Sequence, residues 1–167
     1  MINKINKLPK SEFIKVYANI FESSFWIAQK LYKLKPFSSQ NDLSTKMLGI
    51  FENATKKQQL KILRDHPDLA DKTKVKSLTK DSKKEQNSSR LDECSEEEFE
   101  EFKKLNIEYK KKFLFPFIIA VKGKNRSEIL NNFRQRITNN INSEFIETKK
   151  QVKKIANFRL DEIIKNN

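Results

Sequence analysis

Glycine is nearly absent from this 167-residue chain, which has two, and proline is scarce at four. Collagen-like repeats and glycine-rich linkers are excluded, and hairpin-dense β architectures, which depend on glycine-containing turns, are disfavoured. A single cysteine, Cys94, permits no intrachain disulfide and suits a reducing compartment. It sits among acids in Asp92-Glu93-Cys94-Ser95-Glu96, which disfavour a thiolate, so it is not read as a nucleophile. One histidine and one cysteine make no zinc spacing, and no metal is expected. The longest apolar run, Phe113 to Val121, is too short to cross a bilayer, and Met1 to Lys7 lacks the apolar core of a signal peptide. A cytoplasmic protein without a membrane partner is the expectation. No Walker loop, GxGxxG, GxSxG or HExxH is present, so any activity is expected to need no cofactor.

What is abundant is charge and large apolar side chains. Leu, Ile, Val and Phe together make 48 residues, enough for the core of one domain spanning 1–167. Lys and Arg number 35 against 22 acids, for a net charge of +13. Such an excess raises nucleic acid, an acidic membrane surface or a small anion as a partner. Only six of the 35 are Arg, the lysines are scattered, and the longest block is Lys110-Lys111-Lys112. The excess is read as a solvated surface, with no nucleic acid expected.

Helical spacing recurs along the chain and predicts an all-α fold, a single compact multi-helix domain. Phe13, Val16, Tyr17 and Ile20 follow Ser11 as a candidate N-cap, and a stretch from Trp26 to Lys35 ends at Pro36. Further helices are expected from about Asp42 to Glu52 and from Thr55-x-x-Gln58, a capping box, to His66-Pro67. Ser82 with Glu85 and Ser95 with Glu98 have the same spacing. The latter opens a helix with Phe99, Phe102, Asn106 and Tyr109 on one side. Asn125 or Ser127 starts another, and a last one runs from about Ser143 to Ile164. Asp68 to Lys80 is polar and weakly periodic, so a loop is expected there. Residues 113–121 are apolar without helical polarity, and predict a buried irregular segment or a helix starting after Pro116.

Three sets of residues could carry chemistry. His66 has the one side chain whose ordinary pKa lies near neutrality, and it stands where a helix ends, whose partial negative charge favours the imidazolium. A capping or surface histidine is the plainer alternative. Ser82, Glu85 and Gln86 share one helix face, either as a polar binding set or as a helix start. Arg159 lies on a stripe with Val152, Ala156 and Ile163. A guanidinium there must meet an anion if buried, either an internal carboxylate or a substrate's.

The string Leu63-Arg64-Asp65-His66-Pro67-Asp68-Leu69-Ala70 resembles the signature of the 2-oxo-4-hydroxy-4-carboxy-5-ureidoimidazoline (OHCU) decarboxylases. Phe13 to Trp26, Lys35-Pro36-Phe37, Ser82-x-x-Glu85-Gln86 and Leu105-Asn106-x-x-Tyr109-x-x-Lys112-Phe113 follow the same pattern in order. So do Phe115 to Gly123, Glu128-Ile129-Leu130 and Ile155-Ala156-x-x-Arg159-Leu160. The resemblance implies an all-α homodimer without cofactor that converts OHCU to (S)-allantoin and CO2 in urate degradation. It implies His66 as catalytic acid and Glu85 as its partner in proton handling and substrate polarisation. Ser82 and Gln86 would hold the substrate, Pro67 and Phe117, Ile118, Ile119, Ala120 and Val121 would line the pocket, and Arg159 would bind an anionic group. The chain departs from the family pattern at Ala18-Asn19, Phe25 and Arg90, none of them a candidate catalytic position.

Two other classes compete. His66-Pro67-Asp68 after the basic stretch Lys56 to Arg64 is also the mark of a J-domain co-chaperone, though it leaves Ser82, Glu85, Gln86 and Arg159 unexplained. A basic helical nucleic-acid binder would reveal itself by steeply salt-dependent binding.

Overall fold

Eight helices occur among the described residues, 2–69 and 94–165, of a computed structural model; all but the first, which the sequence reading does not anticipate, fall on the periodic stretches. They are α1 (Ile2–Lys7), α2 (Lys10–Tyr17), α3 (Phe25–Tyr32), α4 (Gln40–Glu52), α5 (Lys56–Arg64), α6 (Glu96–Phe113), α7 (Arg126–Arg136) and α8 (Ile141–Lys165). No strand occurs among these residues, so the fold is all-α as expected. None of these helices is long and apolar enough to cross a membrane. Contacts gather the chain into two units, Met1–Asp65 with Lys153–Asn167, and His66–Val152.

In the first unit α2 packs on α3 and α3 on α4. Phe13, Tyr17, Ile27, Leu31, Met47 and Phe51 are buried there. Phe13 lies 4.6 Å from Tyr17 and 6.0 Å from Phe37 between ring centroids. The Asn6 side chain both donates to and accepts from the Phe37 backbone at 2.8 Å, which ties α1 to the loop before α4. Gln59 donates to the carbonyls of Phe51 and Glu52 and so closes the end of α4. A cavity of about 240 Å³ is lined by Lys4, Ile5, Leu8, Val16, Tyr17, Ile163 and Ile164. None of these is a candidate site residue.

Two boundaries differ from expectation. Helix α2 begins at Lys10 and not after Ser11, because Pro9, which lacks an N–H, stands at the helix edge and its carbonyl accepts from Phe13. Helix α3 ends at Tyr32, short of Lys35, where the residue before Pro36 is disfavoured in α geometry. The Thr55–Gln58 and Ser95–Glu98 capping boxes both form, and Asn125, not Ser127, caps α7 through a box with Glu128.

The second unit is built on α6 and α7, with Phe102, Tyr109, Phe117 and Phe133 buried. Glu96, Glu97 and Glu98 in the first turn of α6 and Lys110, Lys111 and Lys112 in its last complement the helix dipole. The helix ends on Leu114 in the left-handed region at φ 65°, and the chain then runs without helix through residues 115–121. That is the buried irregular segment expected; no helix starts after Pro116.

Candidate active site

His66 follows α5 directly. The Asp65 N–H still bonds to the Lys61 carbonyl at 3.0 Å, but Pro67 disfavours helical geometry at His66 and the helix stops. His66 is buried. The segment after it is held on α6 at two points: Lys110 Nζ meets the half-buried Asp68 Oδ2 at 2.7 Å, and Asn106 Nδ2 donates to the Leu69 carbonyl at 3.0 Å. Asn106 and Lys110 are one turn apart, which places both on one face of α6. The Asn106 Oδ1 atom is buried with no hydrogen-bond partner among the described residues. Asp68 is thus engaged within the fold by Lys110.

The 117–121 segment, the other candidate from this unit, is buried throughout. Its backbone is held by side chains the sequence reading did not single out. Arg136 Nη1 donates to the Ile118 carbonyl at 2.7 Å, its guanidinium lies 4.5 Å from the Phe117 ring centre, and Phe117 stacks on Phe133 at 3.9 Å. Gln151 Oε1 accepts from the Ala120 N–H at 3.0 Å. The charge of Arg136 is met by Glu144, fully buried, at 2.5 Å. Glu144 also accepts from the Tyr109 hydroxyl, from Thr148 at 3.2 Å and from Asn139 at 2.7 Å. Burial pushes the Tyr109 hydroxyl well above its ordinary pKa, keeping it a neutral donor to this carboxylate.

Arg159 belongs to the first unit, where Val152's neighbour in the stripe, Ala156, is buried beside it on α8. Its Nη1 lies 3.1 Å from Glu22 Oε2 and 3.0 Å from the Asn19 carbonyl. Both charged side chains are about 95% removed from solvent, at 5% and 4% exposure. An internal carboxylate is therefore present, the first of the two alternatives the stripe left open. Ser82, Glu85, Gln86 and Arg90 lie outside the described residues, as does the Ser82–Glu85 capping box and the loop expected beyond Leu69. The described site residues therefore divide into His66, Pro67 and 117–121 in the second unit and Arg159 in the first.

Comparison with known proteins narrows what this chemistry serves. The family model described as OHCU decarboxylase matches residues 6–161. A uric acid degradation bifunctional protein of Bacillus sp. is 38% identical over 164 residues, 98% of this chain and 32% of that protein. The chain thus spans about a third of the length of that relative. A 2-oxo-4-hydroxy-4-carboxy-5-ureidoimidazoline decarboxylase of Haloferax volcanii is 35% identical over 161 residues, 96% of this chain and 94% of that one. The crystal structure of an (S)-allantoin synthase is similar with a TM-score of 0.79 and 26% identity, over 98% of this chain and 54% of that one. A family match over nearly the whole length, carried by a relative of the same size, makes the chain a member of the OHCU decarboxylase family.

Proposed function

We propose that residues 1–167 act as one OHCU decarboxylase-like domain, a cofactor-free carboxy-lyase that converts OHCU to (S)-allantoin and CO2 in urate degradation. It works in the cytoplasm as a homodimer and takes a small anionic substrate, with neither nucleic acid nor membrane as partner. The reaction breaks the bond from the ring carbon to the carboxylate. CO2 leaves, and the electron pair stays on a carbanion that the conjugated ring delocalises. A protein must then orient the scissile bond, stabilise the developing charge and deliver one proton to one face. His66 delivers that proton, a role worth about 10²–10⁴-fold in rate. Glu85 manages the proton and polarises the substrate, Ser82 and Gln86 hold it, Pro67 and residues 117–121 line the pocket, and Arg159 takes an anionic group.

The observation that carries this reading is the family match across residues 6–161, a span that contains His66, Pro67, Ser82, Glu85, Gln86 and Arg159. The buried His66 and the anchored, buried segment 117–121 support it, because a proton donor and a pocket wall both need to be held still. The test generates OHCU in situ from urate with urate oxidase and hydroxyisourate hydrolase, and follows its decay and the optical rotation of the allantoin formed. Faster decay with an (S) product is expected, lost in a folded His66→Ala variant. Unchanged rate and a racemic product with the wild-type chain refute the reading.

A further inference from the structure

We propose that Asn106 and Lys110 are positioning residues that aim His66 by docking the two residues after Pro67 onto α6. The inference rests on the reading of His66 as proton donor. Leu69 is three residues from His66, so its carbonyl and the imidazole-bearing backbone are separated by at most about 10 Å of chain. Pro67 between them has a fixed φ, which removes one of the torsions that would otherwise absorb a shift of Asp68 or Leu69. A displacement at the clamp is therefore passed to His66. Lys110 grips the Asp68 side chain and Asn106 the Leu69 backbone, two contacts from one helix face on consecutive residues.

The Asn106 side chain is buried, and its amide grips the backbone of Leu69, the residue chain-linked to the catalytic imidazole. No apolar side chain of similar size could grip the Leu69 carbonyl. Lys110 is 41% exposed and Asp68 9%. Holding that carboxylate therefore draws on a lysine that stays partly in water, and its replacement leaves the core packing intact.

The experiment measures kcat, KM and the enantiomeric excess of allantoin for the full chain and four variants, with enzyme in sufficient excess that uncatalysed decay is negligible. The variants are Asn106→Leu, Lys110→Met, Lys110→Arg and the control Arg134→Ala. In the control, the lost partner is Glu101, elsewhere on α6. Because a misplacement of about 1 Å can cost about 10²-fold, Asn106→Leu is expected to lower kcat by about 10- to 100-fold with little change in KM and a reduced enantiomeric excess. Lys110→Met does the same to a smaller degree, Lys110→Arg restores activity and handedness, and the control matches wild type. Where Asn106→Leu fails to fold, Lys110→Met against Lys110→Arg decides. Wild-type kcat and handedness in folded Asn106→Leu and Lys110→Met overturn the proposal. So does a loss of kcat that merely tracks the unfolded fraction while handedness stays intact. An inactive wild-type chain instead overturns the decarboxylase reading itself.

Discussion

Replacing Arg136 by Met removes one partner of a fully buried ion pair, and the cost follows from what stays behind. Glu144 is 0% exposed and would be left with no cation in contact. Breaking a buried pair in this way costs about 3–5 kcal/mol. Glu144 keeps hydrogen bonds from Tyr109, Thr148 and Asn139, which places the loss near the lower end. The bond to the Ile118 carbonyl also goes, adding about 1 kcal/mol, for a total of about 4 kcal/mol. In a chain of this length that is a fall in Tm of about 8–16 °C. Urea unfolding followed by far-ultraviolet circular dichroism, with the denaturant slope unchanged, measures it. The double variant Arg136→Met, Glu144→Leu is expected to lose less than the sum of the two single variants, because no buried charge then stands alone. A single-variant loss below about 1 kcal/mol, or a double variant worse than the sum of its parts, refutes the account.

Other perturbations test separate parts of the structure. Glu22→Leu removes the buried carboxylate 3.1 Å from the Arg159 guanidinium, and is expected to destabilise by about 1.5–3 kcal/mol in the same urea assay. Leu114→Gly is expected to stabilise by about 1 kcal/mol, since the left-handed conformation at that exposed helix end strains any side chain; a lower Tm in thermal melts speaks against it. Hydrogen bonds from Lys46 and the Ser38 backbone hold the Asp42 carboxyl below the usual range, and Arg134 does the same for Glu101. Their contribution is present above about pH 4 and fades as pH falls below it, modestly because both are solvated. The drop in Tm between about pH 5 and pH 3 should be shallower in Asp42→Asn and Glu101→Gln; parallel curves would count against these pairs. Burial pushes the Tyr17 hydroxyl up to about 12, so its neutral form favours the fold below about pH 10 and that support is lost as pH rises through about 12. Alkaline titration of tyrosinate absorbance should show a group, absent in Tyr17→Phe, that ionises late.

The helices and the candidate residues were legible to different degrees because they depend on contacts of different range. Thr55–Gln58, Ser95–Glu98 and Asn125–Glu128 each close a hydrogen-bonded box within four residues, so the signal and the structure it makes occupy the same short string. The irregular stretch after Leu114 was visible too, since an apolar run with no polar face suits neither an amphipathic helix nor a solvated loop. Arg159 was singled out because a guanidinium interrupts an apolar stripe. The same signal stood at Ile129, Phe133 and Arg136, spaced i, i+4, i+7 on α7, and was not used there. Glu144, Thr148 and Gln151 likewise share a face of α8 that continues the stripe toward its start.

From the chain alone came the all-α class, the family resemblance and the residue types able to move a proton or meet an anion. All of these follow from local spacing, or from strings that can be matched one by one. Only the fold decided that Arg159 meets Glu22, 137 positions away, that Asp68 is gripped by Lys110, 42 positions on, and that Ile118 hangs from Arg136. Which charge neutralises which is set by the low-dielectric interior that packing creates, where an unpaired ion is not tolerated, and no spacing along the sequence encodes that pairing.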